Sequence, residues 1–99
     1  MITTQQLQLL KEGNKNAFEA LYRAYNARIY SFVLSMIGDA GVAKDITQDI
    51  FLQIWEKRLN IDLEGNLGGY LFKISQNMVY HYVRRELLLQ NYRQNILAK

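Results

Sequence analysis

Ninety-nine residues, 49% apolar and 21% charged, suffice for one globular domain with its own core and are too apolar for a disordered chain. The lack of cysteine excludes disulfides and thiolate metal sites, and a single histidine excludes a histidine-based metal cluster. The formal charge of +3 is too modest to assign a partner by itself.

Proline is absent, so no ring clash or missing amide donor interrupts a helix and the chain can be helical almost end to end. A short first helix is predicted from Thr4 to about Glu12, with Leu7 and Leu10 inward. Thr3 and Gln6 are spaced as a capping box, and Gly13 follows as a stop. The second helix runs from about Lys15 to Ile37 behind an Asn14 cap. Phe18, Leu21, Tyr22, Tyr25, Ile29, Phe32, Val33 and Met36 hold the helical period for about five turns.

Gly38-Asp39-Ala40-Gly41 breaks that pattern, and Asp39 can cap a third helix reaching about Arg58. Val42, Ile46, Ile50 and Ile54 form its inner stripe, widened by Phe51 and Trp55. A loop from Asn60 to Gly69 follows, with three glycines and two acids. The fourth helix begins between Leu67 and Tyr70 and reaches Tyr92 or beyond. Leu71, Ile74, Ser75, Met78 and Tyr82 face inward, whereas Gln90 to Lys99 lose the pattern and read as an outgoing linker. The expected fold is an all-α compact bundle of about four helices.

No apolar run approaches the roughly 18 residues of a membrane span, and the opening Met-Ile-Thr-Thr-Gln-Gln lacks the regions of a signal peptide. A cytoplasmic protein is expected. No catalytic constellation and no phosphate-binding loop with its lysine is present, so neither an enzyme, a cofactor nor a small-molecule substrate is expected. Asp45 and Asp49 share a helix face, but no Glu-x-x-His motif exists to complete a metal site.

Two polar strips remain. On the third helix Asp45, Gln48 and Asp49, then Gln53 and Glu56, present a row of acceptors suited to arginines of another protein. On the fourth, Lys73, Asn77, Tyr80, His81, Arg84 and Arg85 interleave cations with aromatics, a pattern that neutralises phosphates and stacks on unpaired bases. Tyr80 lies off the inward stripe and is the candidate exposed ring, while Tyr70, Phe72 and Tyr82 are expected half-buried. From Tyr70 onward Lys73, Arg84, Arg85, Arg93 and Lys99 outnumber Glu86 by four charges, leaving the front of the chain close to neutral. The loop beside the fourth helix could receive an extruded base. Each strip also reads as an ordinary solvated helix face, which would make the chain a helical protein-interaction module without direct DNA binding. A helix-turn-helix reader of duplex DNA is disfavoured, because the connection after Asn60 exceeds the usual 3–4-residue turn.

Ala17-Phe18-Glu19-Ala20-Leu21-Tyr22 and Ile29-Tyr30-Ser31-Phe32 resemble the opening of region 2 of bacterial RNA polymerase sigma factors. Ala43 to Leu52, followed by Trp55, is similar to the family's most distinctive block, and Gly69 to Asn77 with Arg84-Arg85 to its closing segment. The resemblance covers about Leu9 to Glu86, in the expected order, and its brevity is that of the extracytoplasmic-function group. It implies that Asp45, Gln48 and Asp49 dock on the β′ clamp helices of the polymerase. The loop and fourth helix would read the non-template single strand of the minus-ten promoter element, with Asn77 at a base and Lys73, Arg84 and Arg85 along the backbone. His81 stands where the family often has Asp or Asn, and Tyr70 where Trp is common, departures that bear on promoter preference and local packing. An anti-sigma protein is a further implied partner. Residues 1–89 are then expected to form the region 2 domain and 90–99 the start of an interdomain linker, with the second promoter-binding domain absent.

Overall fold

Each helix starts where a side chain satisfies backbone donors that the first turn leaves open. In the computed structural model, which describes residues 2–97, helix α1 spans Thr4–Lys11, α2 Lys15–Ile37, α3 Ala40–Glu56 and α4 Leu67–Leu97. The Thr3 hydroxyl accepts from the Gln6 amide at 3.1 Å while the Gln6 side chain accepts from the Thr3 amide at 2.9 Å, completing the capping box. Asn14 accepts from the Ala17 amide at 2.9 Å and Asp39 from the Val42 amide at 3.1 Å. Gly13 and Gly38 close α1 and α2 with φ of 90° and 82°, a conformation that costs a β-carbon-bearing residue dearly.

Helix α3 stops at Glu56, two residues before the predicted end, and the chain turns through a 3₁₀ segment at Arg58–Asn60. Ile61 then drops into the core at 2% exposure and ties the following loop to the body. A cap not expected from sequence starts α4: the Asn66 side chain accepts from the Gly69 amide at 3.0 Å.

Helices α2, α3 and α4 pack against one another, with α1 laid on α2 and on the 3₁₀ turn. The centre is filled by Leu10, Leu21, Val33, Ile50, Ile54, Ile61 and Leu71. Burying each such side chain contributes about 1.5–3 kcal/mol against its exposed state. Two hydroxyls lie in this apolar interior, Thr47 and Ser75, and each bonds the carbonyl four residues earlier, at 2.7 and 2.8 Å.

The predicted stripes are shifted at their edges. Met36 is 58% exposed, and Tyr22 is exposed too, because α2 turns only its Ala17, Leu21, Ile29 and Val33 face fully inward. On α4, Val79 is buried where Met78 and Tyr82 are half-buried. Tyr70 is half-buried as expected, but Phe72 is 49% exposed. It flanks a shallow hollow between α2 and α4, with its ring 4.9 Å from that of Phe32.

From Val83 to Leu97 every residue of α4 is exposed. The helix, roughly 46 Å long at 1.5 Å per residue, therefore outruns the body, and the protein measures 59 × 22 × 21 Å. Residues 90–97 continue it as helix. Ala98 and Lys99, the end of the expected linker, lie outside the described residues.

Candidate functional site

The inward stripe of α3, from Ala43 through Ile46 and Ile50 to Ile54, fixes what its opposite face can present. At 100° per residue, Asp45, Gln48, Asp49, Leu52 and Glu56 fall within one outward sector. All five are exposed, whereas Gln53 sits half-buried at the sector's edge. The described ion pairs do not engage Asp45 or Asp49; the one found joins Glu19 and Arg23 on α2. The strip is thus a set of acceptors with capacity left for a partner's donors.

Leu52, 54% exposed, was not among the residues singled out from sequence. It belongs to an apolar groove between α2 and α3 lined by Phe18, Tyr22, Phe51, Leu52 and Trp55, with Lys15 and Gln48 at its rim and a volume of about 470 Å³. The rings brace one another: Phe18 meets Trp55 edge-on at 5.2 Å and Tyr22 lies tilted on Phe51 at 4.8 Å. Gln48 therefore borders both the acidic strip and the groove. A second hollow, lined by Tyr22, Asn26, Tyr30 and Lys44, continues past Gln48 along the same helix pair. Apolar residues on two helices gave no sign in sequence that they would flank one opening. The periodicity of Phe18, Tyr22, Phe51 and Trp55 assigned each of them to the core.

The α4 candidates also stand together. All six are exposed. Lys73, Asn77, Tyr80 and Arg84 share the side away from Leu71, Ile74, Ser75 and Val79, His81 flanks it, and Arg85 lies on the inward side where α4 has run past the body. Arg84 donates to the Tyr80 hydroxyl at 3.3 Å, and the ring of Tyr80 meets that of His81 edge-on at 5.7 Å. Tyr80 is 58% exposed, so a ring face is open to solvent while its hydroxyl is tied to a cation. No described ion pair neutralises Lys73, Arg84 or Arg85.

At the N-terminal end of α4 the loop forms a small concavity of about 130 Å³, lined by Asn60, Ile61, Asp62, Gly65, Asn66, Leu67 and Tyr70. The Asp62 carboxylate accepts from the Glu64 amide at 2.9 Å and shapes the turn. Amide and carboxylate groups on a rim floored by Ile61 and Tyr70 could pair with a base edge while the ring is held against apolar surface. On the far side of the loop a larger hollow of about 580 Å³ runs beneath Ile2, Tyr25, Arg28 and Leu63. No helix among the described residues is long and apolar enough to cross a membrane.

Comparison with known proteins agrees with this architecture. The family model described as Sigma-70 region 2 matches residues 21–87. The chain is 31% identical over 81 residues to the ECF RNA polymerase sigma factor SigK of Mycobacterium sp. (strain KMS), covering 81% of this chain and 42% of that protein. Against the ECF RNA polymerase sigma factor SigW of Bacillus subtilis (strain 168) it is 23% identical over 86 residues, 87% of this chain and 46% of the other. The chain thus spans somewhat under half the length of these relatives. Among solved structures, an engineered region 2 of sigmaE, determined by NMR in complex with GTAAAA, shares the fold with a TM-score of 0.76 and 21% identity, over 91% of this chain and 90% of that one.

Proposed function

Because the chain belongs to the Sigma-70 region 2 family, a family of transcription initiation factors rather than enzymes, we propose that it divides promoter opening between two faces of one bundle. The outward strip of α3, Asp45, Gln48 and Asp49, docks on the β′ clamp helices of RNA polymerase. The outward strip of α4, with the loop at its N-terminal end, holds the non-template single strand of the minus-ten element. The observation that carries this reading is the exposure of all nine side chains on two helices that share one core.

On the polymerase side, carboxylates and an amide one turn apart offer acceptors to basic helices, and charge-assisted hydrogen bonds are the stronger kind. The apolar groove beside Gln48 adds a place for an anchoring side chain, which a purely polar strip lacks. On the DNA side, Lys73, Arg84 and Arg85 neutralise backbone phosphates, Tyr80 offers a stacking face, and Asn77 and His81 reach base edges. The sigmaE region 2 fold neighbour bound to GTAAAA supports this side of the reading.

Capture acts on an existing equilibrium. An unstacked base costs a few kcal/mol to expose, and a loop concavity that binds it in that state shifts the population toward open promoter. Polymerase supplies proximity, so the domain alone holds DNA weakly. The unit that does this is residues 1–89, with 90–99 assigned to the start of a linker, and it works in the cytoplasm with the polymerase. An anti-sigma protein covering either face would silence it.

The test is titration of the chain with labelled minus-ten non-template strand at low and moderate salt. Affinity should fall steeply with salt and with the Arg84→Ala/Arg85→Ala double substitution. Binding indifferent to both, with clamp-helix binding intact, would leave a protein-interaction module without a DNA role.

A further inference from the structure

We infer that Arg58 is a positioning residue for the polymerase-docking groove, holding the indole of Trp55 in place as its wall; this rests on the proposed docking of α3. Trp55 is the single tryptophan of the chain, half-buried at the end of α3, and it lines the groove together with Phe18, Tyr22, Phe51 and Leu52. A large ring at a helix end needs support on both sides to keep one orientation. Phe18 supplies one side, its ring edge-on at 5.2 Å and 62°. Arg58 supplies another: its guanidinium carbon lies 4.5 Å from the centroid of the Trp55 ring, a cation–π contact with the aromatic that gives the strongest such attraction.

Three further observations show that Arg58 is held rather than draped. Its Nη1 donates to the Trp55 carbonyl at 3.1 Å, placing a cation at the C-terminal end of α3, where the helix dipole is negative. Its Nη2 lies against the turn between α1 and α2, where a β-carbon added at Gly13 would meet it at 3.5 Å. Its Nε is buried without a hydrogen-bond partner, so the guanidinium forgoes one bond in the pose that stacks on the indole. One side chain thus joins the end of α3, the α1–α2 turn and the groove wall. No carboxylate pairs with it among the described ion pairs. Its fixed neighbours are therefore an aromatic ring and backbone.

Lysine keeps the charge and can cap the helix end, but it has no flat face to stack, so Arg58→Lys separates ring positioning from capping. The experiment uses the full chain and three variants: Arg58→Lys, Arg58→Gln and, as a docking control, Gln48→Ala. Acrylamide quenching of the Trp55 emission reads the freedom of the indole. Affinity for a polymerase β′ clamp-helix fragment reads docking, affinity for the minus-ten strand reads the other face, and circular dichroism reads the fold. Both Arg58 variants should quench more readily and bind the clamp fragment about three- to fivefold more weakly, with helicity and DNA affinity unchanged. Arg58→Lys matching the original chain in quenching and clamp affinity would overturn the inference, since charge alone would then suffice. So would a parallel fall in both affinities with loss of helical signal, which marks a stability effect. If the unmodified chain fails to bind the fragment, or Gln48→Ala leaves binding intact, the docking reading falls instead, and the quenching comparison alone decides whether Arg58 orders the ring.

Discussion

Arg84 donates to the hydroxyl of Tyr80 one turn earlier on α4, 3.3 Å away, and both side chains face solvent. A tyrosine whose hydroxyl is tethered to a cation keeps its ring from sweeping freely, so a base stacking on it loses less entropy on binding. In the proposed reading the same arginine meets the phosphate beside that base. Tyr80→Ala should weaken single-strand binding by about 1–3 kcal/mol, the usual range for one base–aromatic stack. Tyr80→Phe keeps the ring and should lose only a fraction of this. Fluorescence titration with the minus-ten strand checks both.

Salt dependence gives an independent reading of the cations. If Lys73, Arg84 and Arg85 each contact a phosphate, the logarithm of the association constant should fall linearly with the logarithm of salt concentration. The slope should be close to −0.7 per phosphate contacted on a single strand. Each single alanine substitution should reduce that slope by about one contact while leaving sequence preference unchanged. Asn77→Ala should do the opposite, with little effect on the slope and a loss of discrimination at one base.

For the α3 strip, Asp45→Ala, Gln48→Ala and Asp49→Ala should each weaken capture by clamp helices roughly tenfold, the scale of one charge-assisted hydrogen bond. All three side chains are exposed, so circular dichroism and thermal unfolding should be unchanged. Binding of the minus-ten strand should also be unaffected.

Stability should respond most at the helix crossing. Ile54 is fully buried, and Ile54→Ala should cost about 2–5 kcal/mol by urea denaturation. Gly38→Ala meets open space but must adopt φ near 82°, so it should cost on the order of 1 kcal/mol through backbone strain alone.

Hydrogen exchange should divide α4. Amides between Leu71 and Val79 belong to the core segment, whereas those from Val83 to Leu97 lie on a helix exposed on every side. The distal amides should exchange far faster, because opening them exposes little additional apolar surface.

The sequence made the helices legible because their signals are local. Thr3, Asn14 and Asp39 each lie beside the amides they cap, so residue type and spacing were enough to find them. Asn66 was missed since it lies among glycines in a segment read as loop, where an asparagine has several uses. Met36 and Tyr22 fit the α2 period yet face outward, since periodicity gives a direction without giving the width of the neighbouring helix that must cover it. Val79 escaped for the complementary reason: it flanks the Met78–Tyr82 stripe, and α4 is rotated slightly toward it. The polar strips could be read because each lies on one helix. The groove could not, because Phe18 and Trp55 lie 37 positions apart in the chain and meet only through the packing of α2 on α3.

Both faces can be read at once by nuclear magnetic resonance of the labelled chain, titrated first with the minus-ten non-template strand and then with the clamp-helix fragment. Two separate sets of amide shift changes are expected, one from the Asn60–Gly69 loop along α4 to Arg85, the other around Asp45, Gln48, Asp49 and Trp55. The second ligand should add to the first without displacing it. Mutual displacement, or DNA-induced changes centred on α3, would contradict the division of labour on which the account stands.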